Sequence, residues 1–199
     1  MTLEELFDIS YDQKPLRTFV DCYRQSQGKH SLGIQEDLPM RSLAPLMANI
    51  VLMEAQTPSE IYYRIVGQNV VDRLGFNPTG LNLINLLAPA FAEQLPQLHQ
   101  AMMKHPCGYY AVYENEYDSG RTMITESLVL PMTKASDNQA SMTLALHSHV
   151  GITGVTQSSG ETTLATRLDR GALVDIGFGI PEGDFDSDIL TDLTQAVSH

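Results

Sequence analysis

Apolar residues near the start of the chain recur at helical spacing. Leu16, Phe19, Val20 and Tyr23 fall at i, i+3, i+4 and i+7 and share one helix face. Pro15 suits the first turn of that helix and Gly28 its stop. Ahead of it, Thr2 and Glu5 stand at capping-box spacing around Leu3, Leu6 and Phe7, predicting a short opening helix. The stripe from Leu16 to Tyr23 must pack on something: the back of a sheet, or a second copy of itself.

Further along, the period changes. Leu38-Pro39-Met40-Arg41 is an extended entry, and Ala44-Pro45 starts one helical turn. Residues 49–55 form a nearly continuous apolar strand. A connection centred on Thr57-Pro58-Ser59 leads into a β-branched and aromatic strand over 61–66, which Gly67 ends. A tight helix fits 69–74, with Asn69 as N-cap and Gly75 in the left-handed cap position. Asn77-Pro78-Thr79-Gly80 reads as a turn. Leu83, Leu86 and Leu87 suit a short helix, and 89–104 a longer one in which Leu95, Leu98 and Met102 share a face. Pro96 either kinks that helix or marks a second start.

Two long strands follow, over 107–117 and 121–130, joined by Asp118-Ser119-Gly120. Another is expected over 140–150. In the first of these, Tyr109, Ala111 and Tyr113 alternate with Tyr110 and Val112. Both faces are partly apolar, so the sheet is expected to be covered on both sides. Pocket helices would take one side, and the N-terminal helix or a partner subunit the other. Residues 151–163 read as a linker, 173–180 as one more strand or an extended arm, and Asp186 or Ser187 as the cap of a last acidic helix through Ala196.

Composition narrows the partners. A 43% apolar content is enough for a real core, and the net charge of −12 disfavours nucleic acid and anionic membrane surfaces. No apolar run approaches the roughly 18 residues of a membrane span, and the opening residues do not resemble a signal peptide. Cys22 and Cys107 make no disulfide framework. A cytoplasmic location with reduced thiols is the expectation.

The element order β-β-α-α-α-β-β-β resembles a PAS domain. The likeness is carried by Leu38-Pro39-x-Arg41, Tyr63-Arg64-Ile65-Val66-Gly67, Gly75 with Thr79-Gly80, Pro106, and Glu126 with Leu130-Pro131. Together these resemble the landmarks of a bacterial, mostly stand-alone PAS family. The resemblance implies an α+β fold: a five-stranded antiparallel sheet with helices over one face, plus an N-terminal helix and a C-terminal extension. Residues 1–30 would be the helical extension, 31–150 the PAS-like domain, and 151–199 a linker and acidic tail. It also implies a sensory or regulatory module rather than an enzyme. Such a module binds a small molecule or a signalling partner protein and forms a homodimer through the helix ahead of its core.

Tyr63, Arg64, Met102 and Tyr110 are the candidate pocket residues. Arg64 stands within an apolar strand and needs a partner: a carboxylate such as Asp72 or Glu126, backbone carbonyls, or a ligand anion. No cofactor is indicated. The flavin-binding subclass carries its cysteine in an Asn-Cys-Arg helix motif, whereas Cys107 follows Pro106 at a strand start. His99 and His105, near the place of a haem ligand in some relatives, and the pair His147 and His149 lack partners at metal-ligand spacing. Two short likenesses are rejected. Asp175-Ile176-Gly177-Phe178-Gly179 has too little chain after it for a methyltransferase sheet. Asp184-x-Asp186-x-Asp188 has Ile189 where a calcium loop needs glycine. The alternative function is an enzyme on a steroid-isomerase-like α+β cone, with Glu126 or Asp72 as base and a tyrosine as oxyanion donor. A ligand-free interaction scaffold is a third reading.

Overall fold

The computed structural model describes residues 1–137, 139–155, 157 and 160–181. Helix α1 (Leu3–Ile9) opens with the expected box: Glu5 N donates to Thr2 Oγ1 at 3.3 Å, and Thr2 N donates to Glu5 Oε2 at 2.7 Å. Helix α2 (Gln13–Gln27) is capped by Asp12 and stops at Gly28, whose φ of 56° suits glycine. The stripe of Leu16, Phe19, Val20 and Tyr23 is wholly buried on the protein's own sheet. Each such side chain contributes about 1.5–3 kcal/mol. The Tyr23 hydroxyl adds a buried bond to the Pro131 carbonyl at 2.7 Å.

Strand β1 (Gly33–Ile34) is minimal, and a short α3 (Met40–Leu43) with a 3-10 turn leads to β2 (Ile50–Thr57) and β3 (Glu60–Val66). Helix α4 (Gln68–Leu74) is followed by a 3-10 turn (Leu83–Leu86) and α5 (Pro89–Lys104). Then come β4 (Gly108–Glu116), β5 (Arg121–Thr133), β6 (Met142–Val155) and β7 (Thr163–Val174). The sheet order is β3-β2-β6-β5-β4-β7, every neighbouring pair antiparallel, with β1 parallel to β5 off this path. The α+β class holds, with seven strands where five were expected.

The two faces carry separate cores, as the alternation along β4 requires. Tyr110 and Val112 join Leu128, Leu130, Leu144 and Leu146 under α1 and α2. Tyr109 and Ala111 join Phe91, Leu98 and Met102 under α5. Near α4, Val51, Met53, Tyr63 and Val70 complete that second face.

Several boundaries differ from the sequence reading, each for a local reason. The cap of α4 is Gly67 rather than Asn69. Gly67 N donates to the Ile50 carbonyl at 2.8 Å, which places the strand end against the turn before β2. Helix α5 runs unbroken through Pro96. Strand β6 continues to Val155, so the stretch read as a linker begins as strand. The following strand is Thr163–Val174, not 173–180. Its register slips twice against β4, between Val112 and Tyr113 and between Glu114 and Glu116. Those slips break the period of two and hide the strand from a pattern search. The tail Asp175-Ile176-Gly177-Phe178-Gly179 is a turn: Asp175 Oδ1 accepts from Gly177 N at 2.7 Å and from Gly179 N at 2.8 Å. The helix expected between Asp186 and Ala196, and the Asp184–Asp188 run, lie outside the described residues.

Gly67 has an ordinary φ of −66°, so its requirement is space rather than conformation. A Cβ there would overlap the backbone of Met47 and Ala48. Gly80, by contrast, has φ 86° and nothing near a prospective Cβ. Gly67→Ala is expected to destabilise by about 3 kcal/mol through forced separation of packed backbone. Gly80→Ala is expected to cost about 1 kcal/mol through conformation alone. Urea denaturation of the two variants measures the difference, and equal midpoints would contradict the close approach at Gly67.

Candidate functional site

Between the sheet, the 3-10 turn and α5 lies a hollow of about 90 Å³. Its position follows from side-chain size. Ala111 of β4, Ser127 of β5 and His147 of β6 stand in register across the sheet, so two small residues lie side by side at its centre. The larger residues Met53, Phe91, Leu95 and Val129 wall the space, and Tyr63, Tyr109 and Tyr113 reach over it. A second chamber of about 40 Å³ shares Tyr63, Tyr113, His147 and Leu164 and adds Arg73, Asn115, Tyr117 and Thr125. The larger chamber is mainly apolar; the smaller is ringed by polar groups.

A hydrogen-bonded belt separates the two. Tyr113 Oη and His147 Nδ1 lie 3.0 Å apart. Arg73 Nη2 donates to the His147 carbonyl at 3.3 Å, and Arg73 Nη1 donates to Asn49 Oδ1 at 3.2 Å. Burial, with the Arg73 charge beside it, pushes the His147 imidazole down to about 3, so it is neutral at ordinary pH. Burial likewise pushes the phenols of Tyr63, Tyr109 and Tyr113 above their usual value, so all three keep their protons.

The far wall is closed by β7. Ala165 adopts φ 52°, in the left-handed region, at a cost of about 1–2 kcal/mol. Its amide donates to Asn115 Oδ1 at 2.8 Å, and Asn115 Nδ2 donates in turn to Thr125 Oγ1 at 3.1 Å. The preceding carbonyl, Leu164 O, accepts from Ala88 N at 2.9 Å just before α5. One irregular point in an edge strand thus ties the roof helix to the sheet.

Tyr109 differs from its neighbours. It is 4% exposed, and among the described residues no group pairs with its hydroxyl. A buried hydroxyl without a partner costs about 1–3 kcal/mol.

Of the four residues expected to line a pocket, Tyr63 lines both chambers. The other three lie elsewhere. Arg64 occupies a register slip in β3 opposite Leu52 and Met53, which turns it outward. It pairs with Glu54 at 2.8 Å and lies 5.6 Å from the Tyr62 ring centre. Its carboxylate is therefore Glu54 rather than Asp72 or Glu126. Lys134 shares that carboxylate, and the two cations hold Glu54 below the usual range. Met102 packs beneath α5 outside the hollow. Tyr110 faces α1 and α2, where its hydroxyl donates to Glu126 Oε1 at 2.7 Å. Glu126 also accepts from Tyr11 N at 3.0 Å. Glu126 therefore sits on the face away from the hollow, and Asp72 is exposed and accepts from Gln68.

The sequence reading did not single out Tyr109, Tyr113, Arg73 or His147 by itself as pocket residues. The alternation of Tyr109, Ala111 and Tyr113 was legible, and so was the placement of His147 beside Thr143 and Ala145. What was missing was which face the Tyr63 ring shares. His99 is buried in α5, its Nε2 without a partner among the described residues. His105 Nε2 lies 3.0 Å from the Phe178 carbonyl. Among the described residues no three His, Cys, Asp or Glu gather closely enough to hold a metal ion. No described helix is long and apolar enough to cross a membrane.

Two imidazoles, the buried His99 and the half-buried His147, set a pH dependence. Burial pushes His99 down to about 4, as it does His147 further. Above pH about 6.5 both are neutral whether the chain is folded or not. Below it the unfolded chain takes up protons that the folded chain refuses. Stability is then lost by up to about 1.4 kcal/mol per pH unit for each. Glu54, which Lys134 and Arg64 also hold below its ordinary value of 4.5, loses its contribution only as pH falls below that value. Denaturation between pH 7.5 and 4.5 should show the fall, and a His99→Gln, His147→Gln double variant should flatten it. An unchanged slope in that variant would contradict the neutral assignment.

A family model described as a PAS domain matches residues 11–147. No curated protein matches the chain. Among solved structures, the dark-state LOV domain of the blue-light photoreceptor Aureochrome1 is 16% identical, with 56% of this chain and 82% of that one covered and a TM-score of 0.44. The Rhodobacter sphaeroides LOV protein is 14% identical over 72% of this chain and 70% of that one, with a TM-score of 0.42. The PAS domain of an HTR-like protein from Haloarcula marismortui is 18% identical over 58% and 93%, with a TM-score of 0.39. On the family match, which spans more than half its length, the chain belongs to the PAS domain family.

Proposed function

We propose that the chain is a sensory module whose signal is a small molecule held in the 90 Å³ hollow under α5. The observation that carries this reading is the hollow itself: small residues at the sheet centre, a mainly apolar wall, and a few polar side chains, Tyr63, Tyr109, Tyr113 and His147, within that wall. Family membership makes sensing or regulation the expected class, and catalysis is not part of the reading. Glu126 and Asp72, the carboxylates an enzyme would use as base, stand outside the hollow.

Occupancy would act by shifting populations between arrangements of the roof. A ligand against Phe91 and Leu95 bears on α5. From there the Ala88–Leu164 hydrogen bond leads to the irregular point in β7, and β7 presents Arg167 and Asp169 to solvent. Output through contact with a signalling protein fits that route, in a cytoplasmic setting consistent with two buried free thiols. A homodimer belongs to the same reading, but the Leu16–Tyr23 stripe is committed to the chain's own sheet. Such a dimer would use another surface.

Ala111→Leu adds about three carbons at the floor of the hollow, close to what the space holds, so the fold should survive within about 1 kcal/mol. A thermal-shift screen of single-ring compounds should stabilise the native protein and leave the Ala111→Leu variant unmoved. Equal shifts in both proteins would place binding elsewhere, and no shift in either would remove the sensing role.

A further inference from the structure

Tyr109 carries an inference about what the hollow accepts. We propose that its ligand is a small, uncharged, mostly apolar molecule bearing one hydrogen-bond acceptor, and that this acceptor takes the proton of the Tyr109 hydroxyl. The inference rests on the cavity-binding reading above and makes it more specific.

Three observations converge on it. The first is size: at about 90 Å³ with a 40 Å³ side chamber, the space suits a molecule of roughly one six-membered ring. The second is charge. Among the described residues lining the main chamber there is no Asp, Glu, Lys or Arg. Its one imidazole, His147, is neutral, and Arg73 is directed to Asn49 and to the His147 carbonyl. A carboxylate or ammonium entering this chamber would lose its hydration with no opposite charge to meet it. The third is the hydroxyl. Tyr113 and His147 occupy each other, whereas Tyr109 is buried, lines the chamber and has no protein partner among the described residues. A phenol donates more strongly than it accepts, so the group that completes it is an acceptor such as a carbonyl or ether oxygen.

The register explains why the Tyr109 hydroxyl is left open. Tyr109 is flanked by Val129 on β5 and Leu173 on β7, and neither side chain offers an oxygen or nitrogen. Opposite Tyr113, by contrast, stands Thr125, whose hydroxyl accepts from Asn115.

The test is a cycle over protein and ligand. Cyclohexanone and methylenecyclohexane share a shape and differ in one acceptor oxygen. Their dissociation constants would be measured by NMR titration against the native chain and Tyr109→Phe. The preference for the ketone over the hydrocarbon should fall about three- to tenfold in the variant, the share of one hydrogen bond. Cyclohexanecarboxylate should not bind the native chain measurably. An unchanged preference would mean that Tyr109 donates to something other than the ligand. That overturns this inference and leaves the cavity reading standing. Saturable carboxylate binding would overturn the uncharged class. Failure of both neutral compounds to bind the native chain would sink the cavity reading itself. Should Tyr109→Phe not fold, the carbonyl carbon shift of ¹³C-labelled cyclohexanone bound to the native protein and to Tyr63→Phe decides. A shift near its value in alcohol in both supports the bond, and one near its value in alkane, or one lost with Tyr63→Phe, refutes it.

Discussion

The division of β4 into two faces is the constraint on which the rest of the structure depends. Tyr110 and Val112 are held under the N-terminal helices, and Tyr109, Ala111 and Tyr113 face the hollow. Because side chains alternate strictly along a strand, neither set can change without the other. A slip of one residue would carry Tyr110 away from Glu126 and thrust it into the hollow. The buried Tyr110–Glu126 bond at 2.7 Å and the Tyr23 bond to Pro131 therefore fix the register from the side opposite the site. Packing on the silent face sets the shape of the other.

Strand β7 adds a second layer of control. It pairs with β4 along its length and covers what would be an open sheet edge, a place where strands pair with unwanted partners. It also supplies Leu164 and Ala165 to the wall of the hollow. The left-handed Ala165 is a cost that the Asn115 bond offsets, and its carbonyl neighbour reaches the start of α5. Under the proposed function, this strained point joining a roof helix to an edge strand is where occupancy of the hollow would be felt at the surface.

Much of this was legible in the sequence. The capping box at Thr2 and Glu5, the α2 stripe, the Gly75 stop and the 89–104 helix all follow from local chemistry and stand in the structure as read. The strand β7 was not legible, because its two register slips remove the alternation that marks a strand. Nor was the identity of the pocket wall. Tyr63 and Arg64 are adjacent in sequence, yet the slip at Arg64 sends it to Glu54 while Tyr63 stays inside. Tyr109 and Tyr110 look alike to any propensity scale, and only the packing of α1 and α2 decides which faces the hollow.

The most direct measurement is a crystal structure of the native protein under xenon pressure. Xenon enters apolar spaces of this kind without needing a polar partner. The account predicts a xenon atom between α5 and the sheet, bordered by Met53, Leu95 and Tyr109. Side chains closed over that position, with no xenon held there, would contradict it.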